Sequence, residues 1–490
     1  MGARGIDQSN VSLFPFTQTF AQLGGQCQSS SPAADDDDTL HKTPRDCFGD
    51  VNCHAGNLNR EAPGCLATGK LCAPNLHVMS NDTFKQLTQL PSYMRLWFAR
   101  VSGTMGSQML MVAVGWQMYE LTASAWDLGL VGLYQFLPAL LLTLVAGHVA
   151  DRLHRGRIIA VCFALQALCA ALLIAANLGW GAAAPWTSRE LLLGLSVLLG
   201  VARAFQMPAQ QALTPMLVPP AMLPRAMAFS SGGNQAAVVA GPALGGLIFV
   251  AGATAVYVTC AALFVAASVL ICLVRYDHDP APHEKVTVRT LLAGAEFVWH
   301  HKALLGAVSL DLFAVLLGGA TALLPMFAKD ILHVGPWGLG LLRSAPALGA
   351  VVVAVALTRW PLTRRVGHAM LAAVALYGVC MLVFGVSTHF VLSLAALAVS
   401  GGADMVSIVV RQTLVQLETP NDMRGRVSAI NSVFIGASNQ LGEFESGATA
   451  ALMGPVGSVL AGGVGTLLVA ALWFKWFPSL AQRDRMVKND

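Results

Sequence analysis

Apolar and polar positions divide this chain into a polar beginning and a long series of apolar runs. Each run is long enough for a helix to cross a bilayer, which needs roughly 17–25 residues. The polar connections are short, except for one central segment at 276–302. The pattern predicts an all-α membrane protein with twelve transmembrane helices, embedded in the lipid bilayer. We place them at Phe98–Leu121, Leu128–Ala150, Ile158–Leu178, Leu191–Leu217, Ala226–Ala251, Val256–Val274, Leu304–Phe327, Leu339–Leu357, Ala369–Val386, Val391–Leu417, Val427–Met453 and Val456–Phe477.

The connections alternate in charge, which predicts how the helices are oriented. One side has only Arg189 and Lys329 as basic residues. Lys and Arg collect on the cytosolic loops of membrane proteins. We therefore expect a multi-pass protein of the plasma membrane with both termini in the cytosol. The basic, cytosolic side carries Arg152, Arg155, Arg157, Arg225, Arg275, Lys285, Arg289, Lys302, Arg359, Arg364, Arg365, Arg424 and Arg426.

Residues 1–90 differ from the rest of the chain and are predicted to be disordered. They are rich in Ser, Asp, Gly and Pro, contain the acidic run Asp35–Asp38, and have no apolar period. We expect residues 1–78 to be dispensable, because Met79 opens a short lead-in that would serve as a natural start. The cysteines of this region, including Cys53 beside His54, match no common ligand spacing, so no metal site is predicted.

Composition excludes several classes of protein. The chain is 55% hydrophobic and only 11% charged, whereas a soluble domain is about 25% charged. The net charge of +4 is small and its basic residues lie in connections, so we expect no nucleic-acid partner. The sequence contains no nucleotide-binding loop and no cluster of catalytic side chains. We therefore predict neither an enzyme nor a cofactor.

An internal repeat divides the apolar part into two halves. Residues around Gln211 and Arg225 recur as the same types after a shift of 201 residues, around Gln412 and Arg426. Two related six-helix halves are an arrangement found in transporters. We predict pseudo-symmetric halves at 91–275 and 303–478. The cytosolic linker 276–302 carries an amphipathic helix, and a cytosolic tail follows at 479–490.

The short loop between the second and third runs carries a recognisable signature. It contains Gly147, Asp151, Arg152, Arg155 and Arg157, and the order G-x-x-x-D-R-x-x-R-G-R resembles the loop 2–3 signature of the major facilitator superfamily. The resemblance implies the major facilitator fold and a role for this loop in conformational switching. The small Gly147 would let a neighbouring helix approach closely. The alternative is a basic turn that only sets topology.

Other stretches resemble one branch of that superfamily, the enterobactin-exporter and macrolide-efflux branch, also called transmembrane secretion effectors. They are 204–219, 310–319 and 439–447. The resemblance implies export of a small amphipathic molecule, such as a siderophore or drug, across the bacterial inner membrane. Gly241, Pro242, Gly245 and Gly246 resemble the antiporter motif of proton-linked exporters, with Ala237 where that motif usually has Gly. Exchange for protons is therefore implied.

Charged residues inside the predicted spans are candidates for binding or coupling, because each charge is costly in a bilayer. The alternative for each is a structural ion pair or a wet helix end. We expect Arg100 and Arg411, nearer the cytosolic ends, to snorkel to water. The candidates for substrate or proton coupling are Arg203, Asp311, Arg343, Asp404, Glu443 and Glu445.

Two of these candidates are predicted to meet. The 201-residue shift aligns Arg203 with Asp404, so the repeat places them at equivalent depths in the two halves. We expect them to form an ion pair across the central cavity when that cavity is closed, although each charge pairing within its own half is the alternative. Desolvation makes a buried carboxyl easier to protonate, which would suit a proton-coupled cycle.

Three other functions remain open at this stage. A protein with this fold could take up a solute or flip a lipid-like substrate. It could also be a sensor or scaffold that transports nothing. A membrane-embedded enzyme is disfavoured, because no His, Asp and Cys cluster lies at one depth of the predicted spans.

Overall fold

The computed structural model describes residues 87–179, 186–276, 288–362, 364–420 and 423–484. Throughout these ranges the long elements are helices and no strand is present. The all-α class predicted from the apolar runs is confirmed. The polar beginning before residue 87, and with it the expectation that residues 1–78 are dispensable, lies outside the described residues.

The first half consists of six long helices joined by short connections. Two of them begin at serines, as capped helices commonly do. The Ser124 side chain accepts a hydrogen bond from the Asp127 backbone N–H, and that of Ser188 accepts one from Leu191. The helices are α1 (Pro91–Thr122), α2 (Ala125–Arg152), α3 (Arg155–Leu178), α4 (Arg189–Leu213), α5 (Leu223–Phe249) and α6 (Ala253–Cys272).

The second half follows a helix that lies in the central segment of the sequence, α7 (Val288–His300). Its Val298 side chain is buried, whereas Trp299 is exposed, as expected for an amphipathic helix. The remaining helices are α8 (Lys302–Leu317), α9 (Gly335–Arg359), α10 (Val366–Val386), α11 (Phe390–Glu418), α12 (Arg424–Trp476) and the short α13 (Pro478–Ala481).

Helix α12 is two helices joined by a sharp reversal. Gly454 has φ of 79° and ψ of 165°, a backbone conformation that essentially only glycine adopts. After the reversal, Ser458 Oγ donates to the Ser446 carbonyl at 3.0 Å and lies 2.7 Å from Thr449 Oγ1. The limbs 424–453 and 455–476 therefore pack side by side, and they correspond to the last two apolar runs of the sequence.

Nine helices of the described chain are long and apolar enough to cross a membrane. Helices α1 and α5 are as long but more polar. Together with the second limb of α12, they bring the long helices of the described residues to twelve.

The segment that begins with α8 is interrupted partway through its length. The regular helix ends at Leu317, and short 3₁₀-, α- and π-helical turns carry the chain on to Ile331. The Tyr377 hydroxyl of α10 donates to the Gly318 carbonyl at 2.8 Å. A Cβ at Gly319 would lie 2.6 Å from the Gly442 carbonyl oxygen of α12. A side chain at position 319 would clash with α12, so glycine is required there. The Gly318 carbonyl, at the break in the helix, has the Tyr377 hydroxyl as its partner.

The two halves meet at one end of the bundle, which we call the closed end. It contains Thr122, Phe249 and Gly335. A Cβ at Gly246 of α5 would lie 2.4 Å from the Pro336 carbonyl oxygen of α9, and one at Gly447 of α12 would lie 2.6 Å from Gly129 Cα of α2. Backbones from the two halves thus touch where side chains are absent.

The opposite end of the bundle, which we call the open end, contains the loop between α2 and α3. A Cβ added at any of four glycines toward this end would meet no other described atom within 4 Å. They are Gly147 of α2, Gly232 of α5, and Gly425 and Gly436 of α12. No described atom therefore approaches Gly147 closely in this conformation, and the close approach of a neighbouring helix there stays a prediction.

Candidate functional site

The most deeply buried charges form an ion pair inside the second half. Asp311 of α8 and Arg411 of α11 are 4% and 2% exposed, and their side chains are 2.9 Å apart. Arg411 Nη1 also donates to Asn431 Oδ1 of α12 at 3.4 Å. The expectation that Arg411 snorkels to water is wrong, because the carboxylate of Asp311 holds its guanidinium inside the bundle.

A second carboxyl group lies beside this pair. Asp404 shares a small cavity of about 10 Å³ with Asp311, Tyr377 and Ser407, which leaves room for about one water molecule. Ser407 Oγ donates to Asp311 Oδ1 at 3.4 Å. The charges of Asp311 and Arg411 both act on Asp404. Two carboxyl groups thus share one guanidinium, so the cluster carries one excess negative charge when both are ionised.

The equivalent place in the first half has no such cluster. The 201-residue repeat aligns Ser407 with Gln206 and Arg411 with Gln210. Gln206 accepts a hydrogen bond from Gln166 Nε2 at 2.6 Å, and Gln210 is buried. Neutral amides therefore occupy the positions that hold charged and hydroxyl groups in the second half. The pseudo-symmetric fold is thus chemically asymmetric.

The structure does not bring Arg203 and Asp404 together. The charges that act on Asp404 come from its own half, whereas Arg203 of α4 acts on Glu443 of α12. The repeat sets the depth of both residues but not their separation. Arg203 and Asp404 therefore do not pair in this conformation. Asp404 instead has its charged neighbours within its own half, which was the stated alternative.

Glu443 and Arg343 lie where the two halves face each other. Arg343 of α9 and Glu443 interact electrostatically. A Cβ at Gly132 of α2 would lie 2.9 Å from Glu443 Oε2. The Glu443 carboxyl thus reaches across to the first half. The backbone carbonyl of Glu445, two residues further on, accepts a hydrogen bond from Thr449 Oγ1 at 2.9 Å.

The loop between α2 and α3 is fastened to the first half. Arg155 is buried and donates to the Ala212 carbonyl of α4 at 3.4 Å. The Tyr276 hydroxyl accepts the Gly156 N–H at 3.0 Å and lies 3.1 Å from His154 Nδ1. Arg157 is exposed. The side chains of Asp151 and Arg152 lie outside the described part of the molecule, so their switching role stays a prediction.

The four residues that resemble the antiporter motif form a packing surface with two partners. Cβ atoms at Gly241 and Gly245 would lie 2.7 Å from Gln108 Cβ and 2.9 Å from Met109 Cα, both on α1. Gly246 faces α9, as described above, and a Cβ at Gly340 of α9 would lie 2.5 Å from the Pro242 carbonyl oxygen. This stretch of α5 therefore connects packing within the first half to contact between the halves.

Polar contacts at the closed end were missed by the sequence argument. The Tyr119 hydroxyl of α1 donates to Asp330 of the α8 segment, and Lys329 Nζ lies 5.5 Å from the centre of the Tyr119 ring. Arg189 forms a 2.7 Å ion pair with the buried Asp127. The sequence signal was present, since Arg189 and Lys329 are the two basic residues among the connections on that side.

Arg100 differs from its prediction as well. It is half-buried, and its Nη1 donates to Ser230 Oγ of α5 at 2.9 Å. Helix α5 supplies this hydroxyl group at hydrogen-bonding distance, so Arg100 turns toward α5. The expectation that it snorkels to water is wrong.

Comparison with known proteins places these features in a family. A family model described as transmembrane secretion effector matches residues 84–489. The enterobactin exporter EntS of Escherichia coli O1:K1 / APEC is 26% identical over 384 residues, which are 78% of this chain and 91% of that protein. EntS of Shigella boydii serotype 18 (strain CDC 3083-94 / BS512) gives the same identity and coverage.

Solved structures share the fold at low identity. One is a bacterial homologue of the human lysosomal transporter Spinster in an inward-facing, unoccupied conformation, with a TM-score of 0.63, 14% identity, and coverage of 84% of this chain and 100% of that chain. Another is a D-xylose–proton symporter, with a TM-score of 0.59, 12% identity, and coverage of 81% and 99%. At these identities, the likeness supports the fold alone.

Proposed function

Because this chain belongs to the transmembrane secretion effector family of the major facilitator superfamily, and is therefore a membrane transporter, we propose that it exports a small amphipathic molecule in exchange for protons. The observation that supports proton coupling is the cluster of Asp311, Asp404 and Arg411. It is buried, it contains one carboxyl group more than it has guanidinium groups, and it adjoins a cavity of about one water molecule.

Within this cluster, Asp404 is the proton-binding group. Asp311 is already paired with Arg411 at 2.9 Å, so its charge is compensated. A second carboxylate beside Asp311 is uncompensated, and burying an unpaired charge is costly. Binding a proton to Asp404 removes that cost. The groups that face Asp404 are Asp311, Arg411, Tyr377 and Ser407.

The conformation suggests how proton binding is linked to transport. The halves touch at the closed end, and we take them to be separated at the open end, where Cβ atoms at Gly147, Gly232 and Gly436 would meet no described atom within 4 Å. The open end carries the basic connections, so we assign it to the cytosol. Substrate would enter from that side. When the closed end opens, the second half rearranges around α8 and α11, and the proton on Asp404 is exchanged. A ligand or proton drives such a cycle only by its different affinity for the two states.

The substrate class follows from the relatives and from the cavity. The curated relatives are enterobactin exporters, so enterobactin is the first molecule to test, and an amphipathic drug is the second. Helices α4, α9 and α12 carry Arg203, Arg343 and Glu443 within otherwise mostly apolar stretches. An amphipathic solute suits a site between such helices.

Flux into proteoliposomes tests this proposal. The full chain is reconstituted, and uptake of enterobactin or drug into inside-out oriented vesicles is followed with and without an acidic interior. We expect an acidic interior to accelerate uptake, and Asp404→Asn to abolish that acceleration. Glu190→Gln changes an exposed acid at the closed end and serves as the matched control.

The alternatives predict other results. Uptake or lipid flipping would give flux in the opposite direction or movement of a labelled phospholipid. A sensor or scaffold would give no flux with any compound. Flux that ignores the pH gradient in the unaltered protein would refute the proton coupling while leaving transport intact.

A further inference from the structure

Tyr377 of α10 lies between the carboxyl cluster of the second half and the break in the α8 segment. Its side chain lines the small cavity that Asp311 and Asp404 also line. Its hydroxyl group donates to the Gly318 carbonyl at 2.8 Å, and a Cβ at Gly318 would lie 2.8 Å from the hydroxyl oxygen. One side chain therefore touches both the candidate proton site and the point where α8 ends.

The Gly318 carbonyl is the junction at which the chain leaves α8. It accepts the Ala320 N–H at 2.8 Å as well as the Tyr377 hydroxyl. A carbonyl oxygen has two lone pairs, so both are used in this conformation. The Tyr377 hydroxyl thus supplies one of the two hydrogen bonds that fix the direction of the chain after the break.

Residues 320–331, which follow this junction, connect the second half to α1 of the first half. A Cβ at Gly115 of α1 would lie 3.7 Å from Pro325 Cγ, an ordinary packing distance. Further on, Asp330 accepts the hydrogen bond from the Tyr119 hydroxyl at the closed end. A change of direction at the junction therefore alters the contacts that hold the halves together at that end.

The Tyr377 hydroxyl has one hydrogen to donate, and the Gly318 carbonyl competes for it with Asp404 across a cavity of about 10 Å³. Asp311 is already paired with Arg411, whereas Asp404 is uncompensated when it is ionised. A hydrogen bond to an ionised carboxylate is about twice as strong as one between neutral groups. A proton on Asp404 removes this advantage, and the hydroxyl then donates to the carbonyl, as it does in this structure.

We propose that Tyr377 is the positioning residue that transmits the protonation state of Asp404 to the closed end. The inference rests on the proposed function, since it takes Asp404 as the proton-binding group. When Asp404 loses its proton, the Tyr377 hydroxyl turns to the carboxylate and leaves the Gly318 carbonyl with the Ala320 N–H alone. The segment after the break is then free to move away from α1. When the proton returns, the hydroxyl returns to the carbonyl.

Asp404 and Tyr377 have few other titratable neighbours. Asp311 and Arg411 act on Asp404, as described above. Asp311 and the Cys380 thiol of the same helix act on Tyr377. Asp311 keeps its pair with Arg411 in both protonation states of Asp404, so the pH response is assigned to Asp404.

The test follows separation of the halves at equilibrium, with neither substrate nor gradient. The full chain carrying Met326→Cys is placed in phosphatidylcholine nanodiscs, because Met326 is only 8% exposed and adjoins Pro325. Its labelling by a maleimide is measured across a range of pH, and mass spectrometry resolves each cysteine. The thiol itself reacts faster as pH rises, so each rate is divided by the rate of the same cysteine in Asp404→Asn.

The variants then separate the roles. With Met326→Cys alone, this ratio should rise from about one at low pH by about two- to tenfold, the range that one hydrogen bond supports. Tyr377→Phe keeps the ring and removes the hydroxyl, so its ratio should be high at every pH. Tyr377→Phe/Asp404→Asn should be high as well, because Tyr377 acts after Asp404. Tyr257→Phe removes a buried hydroxyl from the first half and should respond to pH like the chain with Met326→Cys alone.

Two results would overturn the inference. One is a pH response that persists in Tyr377→Phe, and the other is a double variant labelled as slowly as Asp404→Asn. Cys169 and Cys260 are fully buried and should stay unlabelled in every variant, which shows that the variants are folded. Failure of the proposed proton site gives a different pattern, in which the chain with Met326→Cys alone and Asp404→Asn are labelled at equal rates at every pH. That result removes the inference together with the proton site.

Discussion

Asp311 and Arg411 form a 2.9 Å ion pair between α8 and α11, each residue 4% exposed or less. Removing one partner of a buried pair leaves an uncompensated charge, which costs about 3–5 kcal/mol. We expect Arg411→Gln to lower the thermal unfolding temperature clearly. The double variant Asp311→Asn/Arg411→Gln should recover part of that loss. Thermal unfolding in detergent would show this, and an Arg411→Gln variant as stable as the unaltered chain would contradict the account.

The contact between Tyr119 and Asp330 joins the two halves at the closed end. Tyr119→Phe removes one hydrogen bond, worth about 0.5–1.5 kcal/mol. We expect the fraction of molecules in which the halves have separated at this end to rise by a few fold. A cysteine introduced at that end should then be labelled faster. Tyr257→Phe removes a hydroxyl bonded within the first half and should not change labelling. Equal effects of both variants would show that Tyr119 is not a lock between the halves.

Gly340 fixes how closely the halves approach. A Cβ there would lie 2.5 Å from the Pro242 carbonyl oxygen, and that oxygen belongs to backbone that cannot rotate away. We expect Gly340→Ala to hinder closure of this end and to reduce transport at least tenfold. Gly232→Ala introduces the same group where no described atom lies within 4 Å, and transport should continue. Normal transport by Gly340→Ala would mean that the contact is not needed in the cycle.

Asp151 remains a predicted switch residue. It lies at the end of α2 toward the open end, away from Arg203 and Glu443. We expect Asp151→Asn to slow transport while leaving equilibrium affinity for the substrate within a few fold. Flux and nanodisc binding on the same protein would compare the two. A large loss of affinity with unchanged turnover would show that Asp151 acts in binding.

The sequence predicted the helices well, because bilayer thickness sets the length of an apolar run. It also selected the interior charges as candidates, two of which, Asp311 and Asp404, share one buried cavity. It did not predict their partners, since partnership depends on helix rotation. Arg411 looked close enough to a helix end to reach water. Asp311 and Arg411 are far apart in sequence, and nothing in the pattern showed that they face each other.

The repeat was informative in one respect and misleading in another. It aligned Arg203 with Asp404, and we expected them to pair. Pseudo-symmetry sets equivalent depth but not which charges become neighbours, and in this conformation Arg203 acts on Glu443. A pair of Arg203 with Asp404 in another conformation stays a prediction. The same alignment does reveal that Gln206 and Gln210 stand where Ser407 and Arg411 stand, a contrast visible in the sequence alone.

The central claim is that Asp404 carries the proton that drives transport. The most direct test is substrate flux in proteoliposomes across a range of imposed pH gradients, comparing the unaltered chain, Asp404→Asn and Glu190→Gln. The account predicts that flux rises with the gradient in the unaltered chain and in Glu190→Gln. In Asp404→Asn it should persist as slow equilibration that is independent of the gradient. Gradient-driven accumulation by Asp404→Asn would contradict the claim.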